Sequence, residues 1–218
     1  MKNFQRLGGL AALCHTTALI LGMLLSFTVM YPLLEATPGQ AQAFLSEHHT
    51  LARVWAWIVD GGTAFTLLIL VLALYRRLNT GAEVLTLVAS ALGLLWAGLI
   101  VVNSDLMLLH FGVVPSLDGS DPARVAAWTA LARGLWVLTT SRAALRTGGL
   151  TRTSSYLGLL LGIVGILTTI PAITELAFLF FGPGMLVWTT WVGLVLLRHT
   201  EGATAQPRDA LHQLSAHP

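Results

Sequence analysis

The chain has 218 residues, of which 55% are hydrophobic and only 10% charged, and its formal net charge is +2. A soluble domain carries about 25% charged residues, and no polar stretch here is long enough to make one, which excludes a soluble domain carried on a single anchor. The basic residues are scattered and form no cluster with aromatics, so nothing supports nucleic-acid binding. The single cysteine, Cys14, allows no intrachain disulfide and no cysteine-based metal site, and reads as a small apolar packing residue.

In chain order, the N-terminus imitates a signal peptide, with Lys2 and Arg6 ahead of an apolar stretch and Ala41-Gln42-Ala43 as a cleavage-like motif. The apolar stretch runs to Leu34 and is roughly twice the 7–15 residues of a signal core, which points to an uncleaved first span. Stretches of about 20 mostly apolar residues suit the membrane interior. Six are expected, over residues 8–34, 54–75, 83–112, 124–145, 154–173 and 176–197, within a membrane domain of residues 1–198. The fourth is the least apolar. Pro183, between Gly182 and Gly184, is expected to kink the sixth helix or delay its start. Gly158, Gly162 and Gly165 form a small face suited to close helix packing. Residues 199–218 are polar and aperiodic and read as a disordered cytoplasmic tail.

The gaps between spans alternate in charge. Lys2, Arg6, Arg76, Arg77, Arg142, Arg146, Arg152, Arg198 and Arg208 fall on one side. Glu35, Glu47, Asp118, Asp121 and Glu175 fall on the other, with Arg53 and Arg124 as the only basic residues there. Basic loops stay inside, so both termini are expected in the cytoplasm, which requires an even number of spans. The expected fold class is therefore all-α: a polytopic membrane protein, a six-helix transmembrane bundle with N-in/C-in topology.

Three charges stand inside apolar spans: Asp60, Asp105 and Arg133. A charge at mid-membrane costs about 2.5–3.5 kcal/mol on insertion scales, and one that persists there has a partner or a task. Counting about 1.5 Å per residue from the outer span ends puts Asp60 at about 9 Å, Asp105 at about 12 Å and Arg133 at about 13 Å. Similar depth in the outer half would let the planar Arg133 fork meet a carboxylate on each edge. Asp60 shares a helical face with Trp57 and Thr63, and Arg133 with Thr129, Trp136 and Thr140. Asn103 and His110 share a face of the third span, and Asp105 points nearly opposite. Two acids against one base leave one acid to be protonated or to hold a cation.

Asp60, Asp105, Arg133, Asn103 and His110 are thus the candidate binding residues of an outward-facing polar site, and mutual neutralisation that merely holds the bundle together is the competing reading. His15 and His110 lie near opposite membrane faces, which does not suit a bis-histidine haem, and no cofactor is expected. Glu47, His48 and His49 form a weak metal-ligand candidate in the first loop, and a solvated loop explains them better, since adjacent histidines cannot both use helical spacing and no HExxH or HxxxH is present. No phosphate-binding loop, dinucleotide fingerprint or nucleophile elbow occurs.

Several stretches resemble one family. They are Arg6-x-Gly8-Gly9-Leu10, Leu74-Tyr75-Arg76-Arg77-Leu78, Gly134-Leu135-Trp136-Val137-Leu138, Tyr156-Leu157-Gly158, Gly165-Ile166-Leu167-Thr168, and a last helix with Trp188, Trp191, Gly193 and Leu196-Leu197-Arg198. The pattern resembles bacterial six-span integral membrane proteins grouped as a domain of unknown function and covers most of residues 6–198. The resemblance implies six helices in a bacterial inner membrane and carries over no catalytic residue. The expected function is a small integral membrane protein that binds or passes a small ligand or ion, with the lipid bilayer as its surroundings. An intramembrane metal-dependent hydrolase and an accessory subunit of a membrane complex are the alternatives.

Overall fold

The computed structural model describes residues 2–25, 57–110 and 122–201, together with positions 40, 43, 47 and 50. Among these residues the chain is helical, with short turns and no strand. Six helices follow one another: α1 (Lys2–Leu25), α2 (Gly62–Leu78), α3 (Glu83–His110), α4 (Pro122–Thr147), α5 (Arg152–Leu167) and α6 (Thr174–Glu201). A turn of π-helix, Trp57–Gly61, leads into α2, and a 3-10 turn, Pro171–Ile173, leads into α6.

Among the described residues, four segments are long and apolar enough to cross a membrane: Asn3–Leu24, Val59–Leu78, Glu83–Val102 and Thr174–Arg198. The other two helices fall short for different reasons. α4 has the length, but Arg124, Arg133, Arg142 and Arg146 dilute its apolar run. α5 is apolar, but its 16 residues rise only about 24 Å, against a hydrocarbon core of about 30 Å.

Local chemistry explains where α5 stops and α6 begins. The apolar pattern continues to residue 173, yet the helix ends at Leu167. Pro171 has no N–H and disfavours helical backbone in the residue before it, and Ile170 is extended, at φ −91° and ψ 113°. The hydroxyls of Thr168 and Thr169 donate back to the carbonyls of Gly165 and Ile166 at 2.6 and 2.7 Å, which closes the last turn. Pro183 does not delay α6, which starts at Thr174 and runs through the proline to Glu201. A mid-helix proline removes one ladder bond and crowds the carbonyl four residues earlier, here that of Leu179. Gly182 has open space where a side chain would stand, which leaves the backbone room to adjust.

The helices pack in chain order, and α6 returns to α1 to close a ring. Short turns over residues 79–82 and 148–151 make α2–α3 and α4–α5 antiparallel neighbours. Gly81 at φ 105° and Gly148 at φ 66° supply the left-handed backbone these turns need. Glycine also sets the seams. A side chain on Gly162 would meet the Leu138 backbone nitrogen at 2.7 Å, and one on Gly134 would meet the Ile166 nitrogen at 2.6 Å, so α4 and α5 touch backbone to backbone. Gly9 and Gly193 do the same for α1 and α6, where a side chain on Gly9 would lie 3.0 Å from the Gly193 carbonyl oxygen. Gly158 and Gly165, on the same small face as Gly162, also sit in these seams, against Ser141 and Phe181.

The interior is filled by Leu67, Leu70, Trp136, Val137, Trp188 and Leu196, all essentially inaccessible. The outside is apolar as well: Leu72, Leu87, Leu95, Leu160, Leu179 and Phe180 are among many large hydrophobic side chains that face outward. A water-facing bundle would carry charged residues there. Cys14, expected to pack, also faces outward on α1.

At the end of the bundle that holds Lys2 and Arg198, specific contacts tie the helices. The Arg77 Nε donates to the Gly149 carbonyl at 2.5 Å, and its Nη1 donates to Gln5 Oε1 at 3.5 Å, joining α2 to α1 and to the α4–α5 turn. Arg76 lies over the Phe4 ring at 4.1 Å. The Thr86 hydroxyl donates to the Leu78 carbonyl at 3.1 Å and binds α3 to the end of α2.

Candidate functional site

A column of rings crosses the middle of the bundle. His15 of α1 meets Trp96 of α3 edge-on, with centroids 6.0 Å apart and planes at 81°. Trp96 tilts against Trp136 of α4 at 5.2 Å, and Trp136 meets Trp188 of α6 edge-on at 5.6 Å and 88°. These are the offset and T-shaped arrangements that ring quadrupoles favour. The column links helices that are not neighbours in the ring, α1 to α3 and α4 to α6. The Trp188 Nε1 donates to the Ser154 carbonyl at 3.0 Å, so its one polar atom is satisfied.

His15 has no exposed surface. Its Nδ1 lies 3.2 Å from the Thr63 carbonyl oxygen and 3.3 Å from Thr66 Oγ1. A carbonyl can only accept, so Nδ1 carries the proton. The Thr66 hydroxyl donates to the backbone at Gly62 or Thr63, at 2.9 and 3.0 Å, and its lone pair is free to accept from Nδ1. In the neutral ring Nε2 is then a bare acceptor, and it is buried without a hydrogen-bond partner among the described residues. The Thr63 hydroxyl, on the residue whose carbonyl holds the ring, is also buried without one.

The next residue, Thr16, extends this polar layer to α6. Its hydroxyl lies 2.8 Å from that of Thr189 and accepts from Thr190 at 3.4 Å. Each of the three hydroxyls also lies within donating reach of a carbonyl of its own helix, at Ala12, Met185 and Leu186, so their three protons are shared between these carbonyls and the contacts among the hydroxyls. Sequence reading placed no function on these threonines. Their only signal is a polar residue inside an apolar stretch, which back-bonding to the helix accounts for equally well.

The structure sets the expected site residues in three situations. Asp60 is half-buried on the π-turn that opens α2. Arg133 is in the middle of α4, with its guanidinium carbon 4.2 Å over the Phe181 ring of α6. The Arg133 Nε is buried and has no hydrogen-bond partner among the described residues. Asn103, Asp105 and His110 belong to α3, but their side chains lie outside the described residues. Since α3 packs against both the π-turn and α4, it stands between the elements that carry Asp60 and Arg133.

The faces inferred by counting 100° per residue behave differently on the two helices. On α4 the count holds inward: Trp136 and Thr140 are buried, and Thr129 is half-buried. On the second span Thr63 is buried but Trp57 is 60% exposed. The π-turn inserts one residue into the helical repeat and rotates what precedes it, so Trp57 no longer shares the Thr63 face. Of the first-loop trio, Glu47 is helical and exposed, and His48 and His49 lie outside the described residues. Among the described residues no three His, Cys, Asp or Glu side chains come together as metal ligands.

Fold and interior together define a class: an all-helical bundle with an apolar exterior, four helices able to cross a membrane, and polar groups held inside. No family model matches the chain, and no curated protein and no solved structure is similar to it.

Proposed function

We propose that the chain is a multi-pass protein of the bacterial cytoplasmic membrane that binds or passes a small polar ligand or ion through a site in the outer half of its bundle. In this reading all six helices cross the bilayer and both termini are cytoplasmic. The alternating charge of the loops supports that topology. The outward-facing leucines and phenylalanines support the lipid setting. The resemblance to six-span bacterial membrane proteins of undefined function points the same way.

One observation carries the site: the Arg133 guanidinium, seated on an aromatic face with a buried Nε that no atom of the described residues accepts from. A buried donor without an acceptor costs about 1–3 kcal/mol, more when charged. A site that keeps such a donor is suited to a ligand that brings the acceptor, such as a small carboxylate or another oxyanion. Asp60 adds an acid on a π-turn, a feature that occurs often at functional sites because it exposes backbone and re-aims a side chain. By sequence count, Asp60 and Asp105 are two acids to one base, which is consistent with a proton or a cation accompanying the ligand.

Thermal unfolding of the purified chain against a panel of acetate, succinate, phosphate and sodium salts tests this reading. At least one salt is expected to raise the Tm of the native chain and to leave Arg133→Ala unmoved. Arg133→Ala should also lower the folded yield, and Asp60→Asn with Asp105→Asn should partly restore it, because the acids then need no counter-charge. A native chain that answers to none of the panel, together with an unchanged yield for Arg133→Ala, overturns the proposal.

A further inference from the structure

A groove of about 630 Å³ runs along the outward face of α6, flanked by α1 and by the start of α5. Its floor and walls are almost wholly apolar: Ile20 of α1, and Leu186, Val187, Trp191, Leu194 and Val195 of α6. The hydroxyls of Thr16 and Thr190 also line it, but they already donate to carbonyls of their own helices, so they do not call for a polar occupant. One end of the groove is different. Arg198 lies there, exposed, with Thr151, the N-cap of α5. Arg152, the next residue, is exposed too. The first turn of α5 adds the positive end of its dipole.

We propose that this groove binds one anionic phospholipid, its phosphate at Arg198 and Arg152 and one acyl chain along Leu194, Trp191 and Val187 toward Ile20. Three features select this occupant. The groove runs from Arg198 to Leu186, twelve residues of helix, or about 18 Å. That is close to one leaflet of hydrocarbon, half of a core about 30 Å thick. The charge is confined to the end where a headgroup would lie, and its sign favours a lipid with net negative charge over a zwitterionic one. The tail after Glu201 is a poor occupant, since it carries Gly, Thr, Gln, Pro and Ser and few large apolar side chains. The inference needs only that α6 crosses the membrane and does not depend on the Arg133 site.

Native mass spectrometry of the full chain, released from nanodiscs of equal phosphatidylglycerol and phosphatidylcholine, reads the bound lipid directly. The native chain is expected to retain one phosphatidylglycerol. Leu194→Trp fills the groove and should lose it, and Val187→Phe repeats the test with a milder change. Leu72→Trp, on an exposed face of α2, should keep it. Arg198→Gln should lower the preference for phosphatidylglycerol about fivefold, as expected for one basic group near an anionic headgroup. Equal retention of the two lipids by the native chain overturns the proposal, as does a Leu194→Trp or Val187→Phe chain that keeps phosphatidylglycerol as the native chain does. A chain ending at Glu201 that gains a lipid the full chain lacks also overturns it, by showing that the tail occupies the groove.

Discussion

Two arginines in this bundle are both partly buried, and their surroundings differ. Arg77, near the end of α2, has its Nε on the Gly149 carbonyl and its Nη1 on Gln5, so it joins three parts of the chain. Arg133, in the middle of α4, has its guanidinium carbon over the Phe181 ring and keeps a buried Nε with no acceptor among the described residues. The first is a clamp made of backbone and side-chain partners within the protein. The second is held by an aromatic face, which attracts the positive charge without accepting from its Nε. The region around Arg133 is instead fixed by backbone contact at Gly134 and Gly162, immediately beside it on the α4–α5 seam. Stability and hydrogen-bonding capacity are therefore separated in space: the Lys2 end of the bundle uses its arginine for structure, and the middle leaves one available.

Five substitutions test that separation. The largest effect is expected at the seam. Gly134→Val places atoms where the Ile166 nitrogen already stands at 2.6 Å from a Cβ position, and should cost about 3 kcal/mol or more and most of the folded yield. Gly98, with nothing within 4 Å, should accept alanine with no loss, as read by size-exclusion profile and Tm. Next, Arg77→Ala removes two hydrogen bonds from a charged donor and should lower unfolding free energy by about 2 kcal/mol. It should leave any ligand-induced rise in Tm intact. Trp188→Phe keeps the ring contact with Trp136 but drops the bond to the Ser154 carbonyl, and should cost about 1 kcal/mol in the same assay. Among the changes at polar side chains, the smallest effect on stability is expected for Arg133→Lys, within about 1 kcal/mol of the native chain, because the positive charge over Phe181 is kept. That variant should nevertheless lose the ligand response, since an ammonium cannot present the guanidinium's fixed fork of donors. If Arg133→Lys destabilises more than Arg77→Ala, the contrast between clamp and site is lost.

Much of the architecture was legible in the residues themselves. Apolar stretches of helical length place the helices, because hydropathy and helical period act along the chain; the stop at Leu167, ahead of Pro171, was not read from the apolar pattern, which continues to residue 173. Asp60 and Arg133 also stood out, since a charge among twenty apolar residues is visible without knowing what it touches. What they touch was not visible. Thr16 and Thr17 are adjacent threonines, and both bond back to carbonyls four residues earlier. Only Thr16 is buried and meets Thr189 and Thr190, 173 and 174 residues away. Glycines show the same limit: Gly182 and Gly162 are alike in sequence, but one borders open space and the other the backbone of a neighbouring helix.

His15 illustrates the division most directly. The sequence by itself determined that an imidazole stands in the first apolar helix, about 14 Å from Arg6 along the axis. Only the packing of α1 against α2 and α3 decided that Nδ1 faces the Thr63 carbonyl, that the ring abuts Trp96, and that Nε2 is left as a buried acceptor. The physical reason is range. Hydropathy, helix-breaking and loop charge act within a few residues and survive in a linear reading. Hydrogen bonds and ring contacts depend on the rotation and offset of whole helices, and a single inserted residue such as the π-turn before Gly62 changes both.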